Sequence, residues 1–190
     1  MRIVGGEHRG RKLVAPDGAA TRPTSEKVRE ALFDILGGRI TGAAFGDLYA
    51  GTGAVGLEAL SRGASSCVFI ECEGNAVEAL QRNIQLLGVA ARSRVIAVNA
   101  SKALDLLDSG GGALDICFCD PPYADDRWPI LLAGMGARAA VAPGGLLVVE
   151  HALKAPPPCP VGMEQGRNYR YGDTGLTVFV RKAESRRVGE

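Results

Sequence analysis

The stretch Asp47-Leu-Tyr-Ala-Gly51-Thr-Gly53-Ala-Val-Gly56 constrains the fold more than any other part of this chain. It follows Ala43-Ala44-Phe45 and leads into Leu57, Ala59 and Leu60. An apolar run, a glycine-rich bend and apolar residues at helical spacing read as strand, turn and helix, and the glycines let the backbone come close to a ligand. Gly51, Gly53 and Gly56 satisfy the G-x-G-x-x-G fingerprint of dinucleotide folds, and Glu71 falls at about the 20-residue offset of a ribose-binding acid. The glycines by themselves do not say which nucleotide such a turn takes.

Asp47, at the strand end, narrows the choice. A carboxylate aimed into a pyrophosphate site repels the phosphates, whereas beside an ammonium group it attracts and accepts hydrogen bonds. S-adenosyl-L-methionine carries an amino-acid ammonium, a sulfonium and no phosphate, so the acid favours this cofactor over a nicotinamide dinucleotide. The competing reading is that Asp47 only caps the turn that follows it. Tyr49 and Thr52 belong to the same turn and join the expected cofactor contacts.

From Phe45 onward the chain alternates. Strands are predicted over 67–70, 95–98, 116–119 and 146–149, and helices over 76–87, 102–107 and about 129–140. Apolar strands alternating with helices mean a parallel sheet covered on both faces, a doubly wound α/β fold. A last strand over 176–180, with no helix before it, is expected to run antiparallel at the sheet edge. Ahead of this unit, Val28, Ala31, Leu32, Ile35 and Leu36 predict an amphipathic helix over 25–36, capped by Thr24 and ended by Gly37-Gly38. Ile3-Val4 and Leu13-Val14 flank a Gly-rich basic connection and predict a β-hairpin.

Residues just past the strands of such a sheet share one cleft. Asp47, Glu71, Asn99 and Asp120 hold that position on successive strands. Glu71 suits the two ribose hydroxyls of an adenosine. Asn99 suits the adenine edge, with Ala100 beside it, or is an ordinary turn residue. Asp120-Pro121-Pro122-Tyr123 is the most specific signal: two prolines stiffen the corner and lack N–H groups, leaving carbonyl oxygens to face a ligand, and the tyrosine offers a stacking face. This set suits a planar base bearing an exocyclic amine, held by Asp120 and the Pro121 carbonyl against a methyl donor.

The chain has 190 residues and a formal charge of +1, enough for one core without a disulfide or metal. Its five cysteines include no C-x-x-C pair; Cys117 and Cys119 alternate in an apolar strand and read as small core residues. No metal site is expected. Reduced thiols, the lack of an apolar run long enough for a bilayer and the lack of a signal-like start lead to a cytoplasmic, non-membrane expectation. Charge is segregated, with Arg2, Arg9, Arg11, Lys12 and Arg22 before the core, a second basic group after residue 166, and acids between them. That arrangement reads either as solvated faces or as basic lips for a phosphate backbone.

The chain is similar to class I S-adenosylmethionine-dependent methyltransferases, and more narrowly to the bacterial 16S rRNA guanine-N2 methyltransferase family often called RsmD. The resemblance rests on Arg2 to Gly6, Gly10 to Leu13, Arg22-Pro-Thr24, Val28-Arg-Glu30, Asp47 to Gly63, Asp120 to Tyr123 and Tyr171-Gly-Asp-Thr174. It implies a Rossmann-like, mostly parallel seven-stranded sheet with an antiparallel C-terminal strand and a small N-terminal hairpin. The expected division is a basic arm over 1–24 and a methyltransferase domain over 25–190. It further implies methylation of N2 of one guanine of 16S rRNA, on the 30S subunit or an assembly intermediate, by a monomer whose arm contacts RNA. Adenine-N6 or protein glutamine methylation and a non-enzymatic rRNA-binding assembly factor are the competing functions. Asn99 departs from the acid common in the wider superfamily.

Overall fold

A computed structural model of the chain describes residues 1–16, 25–108, 112–122, 128–137 and 140–183. Its elements, in order, are α1 (Glu26–Leu36), β1 (Ala44–Leu48), α2 (Ala54–Ser61), β2 (Ser66–Ile70), α3 (Gly74–Leu87), β3 (Ser93–Ile96) and α4 (Ala100–Asp108). These are followed by β4 (Leu114–Cys119), α5 (Trp128–Ala137), β5 (Val141–Ala152), β6 (Met163–Tyr171) and β7 (Thr174–Arg181). The strands form one sheet in the order β3-β2-β1-β4-β5-β7-β6. The first five pair in parallel and β7 runs antiparallel to both of its neighbours.

Side-chain alternation along the strands divides the core into two layers. Phe45, Phe69, Ile116, Phe118, Leu146 and Val148 face one side, where Leu32 of α1, Leu57 and Leu60 of α2, and Leu80 and Ile84 of α3 cover them. Leu48, Ile70, Cys117, Cys119, Leu147 and Val149 face the other, under Leu104 of α4 and Leu132 and Met135 of α5. Cys117 and Cys119 are therefore packed in the core, as their alternation predicts. The order of neighbours reverses between β1 and β4, which opens a crevice at the carboxyl ends of the strands. Among the described residues no helix is long and apolar enough to cross a membrane.

The differences from expectation are local. Ser25 caps α1, its hydroxyl accepting from the Val28 N–H at 3.2 Å; Thr24, the expected cap, lies outside the described residues. β5 starts earlier than expected and β3 ends at Ile96. β6 is an additional strand: its residues are mostly exposed and polar, so it carries no apolar alternation to read. Because β6 takes the sheet edge, the antiparallel C-terminal strand is the inner neighbour of β5. The N-terminal hairpin is short, with the Arg2–Lys12 bridge, Ile3 N–H to the Arg11 carbonyl at 2.9 Å and Leu13 N–H to the Met1 carbonyl at 3.0 Å.

That hairpin is bound to α2 by the buried carboxylate of Glu58 and by Ser61, whose hydroxyl donates to the Gly5 carbonyl at 2.6 Å and whose carbonyl accepts the Glu7 N–H at 2.8 Å. Glu58 accepts the N–H groups of Val4 at 2.7 Å and Gly5 at 2.6 Å, the Arg62 Nε at 2.8 Å, and faces Arg29 Nε at 3.5 Å. Both Glu58 and Arg29 are 0% exposed. With the sheet beneath it and the hairpin above it, α2 is buried on every side, which is why its sequence is apolar all round apart from Glu58 and Ser61. Ile3 and Leu13 join the core, whereas Arg2, Arg9, Arg11 and Lys12 point to solvent.

Candidate active site

The crevice at the carboxyl ends of β1, β2, β4 and β5 gathers acids from different strands. Asp47 is the next-to-last residue of β1; Glu71 and Asp120 follow directly on β2 and β4. Continuing the alternation of Phe45, Phe69 and Phe118 places all three side chains on the face shared with α2 and α3. Their charges act on one another: Asp47 is pushed up to about 8, chiefly by burial and then by the neighbouring charges of Asp120 and Glu71, against the Gly56 N–H, which lowers it. Asp120 and Glu71 thus lie within electrostatic reach of Asp47 at this end of the sheet. A cation placed there would reverse the cost of ionising Asp47.

The turn between β1 and α2 is built to expose backbone. Tyr49 has φ 62 and is the only described non-glycine residue with positive φ; such a conformation costs about 1–3 kcal/mol and is held by its surroundings. Gly51 has φ +54, and a Cβ there would meet nothing within 4 Å. Gly53 and Gly56 differ: a Cβ at Gly53 would lie 2.3 Å from Leu80 Cδ1, and one at Gly56 would lie 2.4 Å from Phe69 Cε1. The first glycine therefore borders open space, while the other two let α2 sit tightly on the sheet and on α3.

Both acids nearest the turn are oriented by backbone donors. Asp47 Oδ2 accepts the Gly56 N–H in the first turn of α2 at 2.8 Å, so it does cap the helix, the alternative weighed for it. Glu71 Oε2 accepts the Gly51 N–H at 2.7 Å, and its Oε1 accepts the N–H groups of Cys72 at 2.7 Å and Glu73 at 2.9 Å. A carboxylate oxygen has two lone pairs, so Oε2 retains one for a hydroxyl of a bound nucleoside. Asn99 stands between the end of β3 at Ile96 and the start of α4 at Ala100, and its carbonyl receives the Lys102 and Ala103 N–H groups. It is further from its strand end than the acids are from theirs.

Asp120 extends the β1–β4 pairing, its N–H facing the Leu48 carbonyl at 3.5 Å, and Pro121 and Pro122 follow at the cleft. Tyr123 lies outside the described residues, as does Arg22. Trp128 is half-buried against the second core layer. Of the later basic residues, Arg181 donates to the Val141 carbonyl at 2.8 Å and Lys182 pairs with Glu164, both at the amino-end side of β5, away from the crevice. Arg170 is exposed near the end of β6, on the crevice side.

Two residues of this region escaped the sequence reading. Asn83 of α3 is fully buried, accepts the Val14 N–H at 2.7 Å, and donates to the carbonyls of Val14 at 3.1 Å and Thr52 at 3.0 Å. It ties the hairpin exit to the glycine turn; the available signal was an amide within the apolar stripe of α3. Glu150, 8% exposed, ends the apolar run Leu146 to Val149 and shares the face of Val148, in the row next to Asp120. An acid closing an apolar strand was its signal.

The donor set fits a cationic nucleoside: buried Asp47 at the end of β1, and Glu71 at the end of the neighbouring strand, bound to the backbone of the glycine turn at Gly51. Sheet order, antiparallel β7 and this crevice define a class I methyltransferase, the class whose methyl donor is S-adenosyl-L-methionine. A family model described as "Conserved hypothetical protein 95" matches residues 1–180. The chain is 34% identical over 185 residues to ribosomal RNA small subunit methyltransferase D of Escherichia coli strain K12, covering 97% of this chain and 91% of that one. It is 32% identical over 183 residues to the Bacillus subtilis protein named "Putative rRNA methyltransferase YlbH", covering 96% and 100% of the two chains. A solved Escherichia coli chain described as "Putative methyltransferase yhhF" superposes with a TM-score of 0.84 at 31% identity, covering 97% of this chain and 99% of the other. The chain belongs to the RsmD-type family of class I methyltransferases.

Proposed function

We propose that this protein transfers a methyl group to the exocyclic N2 of a guanine in 16S rRNA, within the 30S subunit or an assembly intermediate. The observation that supports the reading is the proximity of Asp120 and Glu71 to buried Asp47 at the carboxyl ends of neighbouring strands, with Pro121 and Pro122 directly after Asp120. The relatives named above as rRNA methyltransferases supply the substrate class.

When bound, S-adenosylmethionine supplies an electrophilic methyl carried on a sulfonium. Asp47 receives the ammonium group, Glu71 the ribose hydroxyls, and Tyr49, Gly51, Thr52, Gly53, Gly56, Asn99 and Ala100 complete the contacts. Asp120 and the Pro121 carbonyl accept the two N–H bonds of the base amine and turn its lone pair out of conjugation with the ring. Pro122 keeps the corner rigid and Tyr123 stacks on the base, so alignment rather than covalent catalysis lowers the barrier. As the nitrogen–methyl bond formed and the methyl–sulfur bond broke, leaving a neutral thioether, Asp120 would stabilise the positive charge on nitrogen, and the proton would then pass to solvent.

Exposed Arg2, Arg9, Arg11 and Lys12, with Arg22, contact the rRNA backbone. The guanine is turned out of its stack at a cost of a few kcal/mol, which stacking and phosphate contacts offset. The protein acts as a monomer in the cytoplasm, with residues 1–24 as the RNA-contacting arm of the methyltransferase unit 25–190.

The test is methyl incorporation from labelled cofactor into 30S subunits, naked 16S rRNA and DNA, followed by mass mapping of the modified nucleotide. N2-methylguanine in 16S rRNA is expected; label in adenine or DNA would overturn the reading. Asp120→Ala is expected to retain cofactor binding by calorimetry and lose at least about a hundredfold in rate.

A further inference from the structure

The acids on β1 and β2 lie on the cofactor half of the crevice, which leaves Glu150 on the other side of Asp120. Register sets the spacing: Phe118 pairs with Val148 and Cys119 with Val149, so Asp120 and Glu150 are the next pair in the row. Parallel neighbours lie about 4.8 Å apart, and both side chains continue the face of Phe118 and Val148. Glu150 is flanked on its far side by Leu176 of β7, so it stands between an apolar wall and the corner that holds the amine. At 8% exposure Glu150 is buried, where hydrogen-bond mismatches are costly.

We infer that Glu150 selects guanine by accepting the ring N1–H next to the amine held at Asp120. Two adjacent acceptors on one face require a base with two adjacent donors, an exocyclic amine and a ring N–H. Of the four RNA bases only guanine offers that pair. Adenine and cytosine place a ring lone pair beside their amine, which would face the Glu150 carboxylate without a proton between them. A buried carboxylate facing a ring lone pair discriminates strongly, because two acceptors are brought together with no proton between them. The inference rests on the proposed rRNA guanine methylation and supplies what the proline-containing corner alone does not, the choice between guanine and other amino-bearing bases.

2-Aminopurine separates these terms, since it keeps the 2-amine but has a lone pair at N1. The measurement is single-turnover methylation of 30S particles reconstituted with 16S rRNA carrying guanine or 2-aminopurine at the mapped nucleotide. The wild type is expected to prefer guanine by about ten- to hundredfold, the value of one hydrogen bond to a charged acceptor. Glu150→Gln can turn its amide N–H toward N1, so the guanine rate falls, the 2-aminopurine rate rises and the preference shrinks at least about tenfold. Glu150→Asp keeps the charge and is expected to slow both substrates while still preferring guanine. Cofactor affinity of both variants, measured by calorimetry, should equal that of the wild type. A Glu150→Gln enzyme with wild-type preference overturns the role of Glu150 and leaves the guanine-N2 reading standing. A wild type that methylates no guanine in either rRNA or 30S overturns that reading and this inference together.

Discussion

Asp47 accepts the Gly56 N–H at 2.8 Å, yet its carboxyl is pushed up to about 8. Burial is the larger cause, followed by the charges of Asp120 and Glu71, and the one backbone donor does not offset them. A single side chain therefore caps α2 and stores an electrostatic cost that a cation relieves. On the proposed function, a cofactor ammonium at Asp47 would couple cofactor binding to the placement of α2.

The pH dependence follows from that shift. An unfolded Asp titrates near 3.9. Between about 4 and about 8 the folded protein holds a proton that the unfolded chain has released. The stabilising contribution of Asp47 is complete below about pH 4 and is lost as pH rises to about 8. Asp47→Asn does not titrate, so its melting temperature relative to wild type should climb across that window and level off above it. Parallel melting curves from pH 4.5 to 9 would show that the carboxylate stays ionised throughout. The variant should also lose the thermal shift that S-adenosylmethionine gives the wild type.

The Glu58–Arg29 pair predicts a large stability change far from the chemistry. Glu58→Ala would leave Arg29 buried without its counter-charge and release the N–H groups of Val4 and Gly5. Breaking one partner of such a pair costs about 3–5 kcal/mol. Urea denaturation of Glu58→Ala and Glu58→Gln measures it; a loss below about 1 kcal/mol would mean the hairpin is held by Ile3, Leu13 and its bonds to Ser61 and Asn83 rather than by Glu58.

The three glycines of the turn should separate into two behaviours. Gly56→Ala puts a methyl 2.4 Å from Phe69 Cε1 and 2.6 Å from Cys67 Sγ and should destabilise the fold by about 1–3 kcal/mol. Gly51→Ala meets no protein atom and costs only its left-handed backbone, about 1–2 kcal/mol. Its methyl enters the space beside Glu71, so cofactor affinity should fall more than stability does. Calorimetric titration alongside thermal melting distinguishes the two; equal effects at both sites would remove Gly51 from the binding surface.

Asn83→Leu removes two bonds to Val14 and one to the Thr52 carbonyl. Leaving the buried Thr52 carbonyl and the part-buried Val14 groups without these partners should cost about 1–3 kcal/mol, and the change should reach the glycine turn through Thr52. Faster hydrogen exchange at the Val14 amide together with weaker cofactor binding is expected. Faster exchange with unchanged cofactor affinity would confine Asn83 to holding the hairpin.

Much of the site was legible because its signals are local in the chain. Asp47 to Gly56 combines a strand end, a left-handed turn and a helix start within ten residues, and Asp120-Pro121-Pro122 stiffens its own backbone. Glu58, Asn83 and Glu150 were not legible in the same way. Each is polar at an apolar position, and its meaning depends on a partner 20 or more residues away: Val4 and Arg29, Val14 and Thr52, and Asp120 across the sheet. β6 was missed because an exposed edge strand needs no apolar side chains.

Sequence by itself determined the alternation of strands and helices, the glycine turn, the acids at strand ends and the stiff corner after β4. These follow from backbone preference and apolar spacing among near neighbours. Only the tertiary structure decided that β1 lies between β2 and β4 and that β7 enters between β5 and β6. It alone closed the hairpin over α2 and set Glu150 beside Asp120. Strand partners are chosen by burial and hydrogen bonding between segments far apart in the chain, so the row of acids proposed as the site exists only once the sheet has assembled.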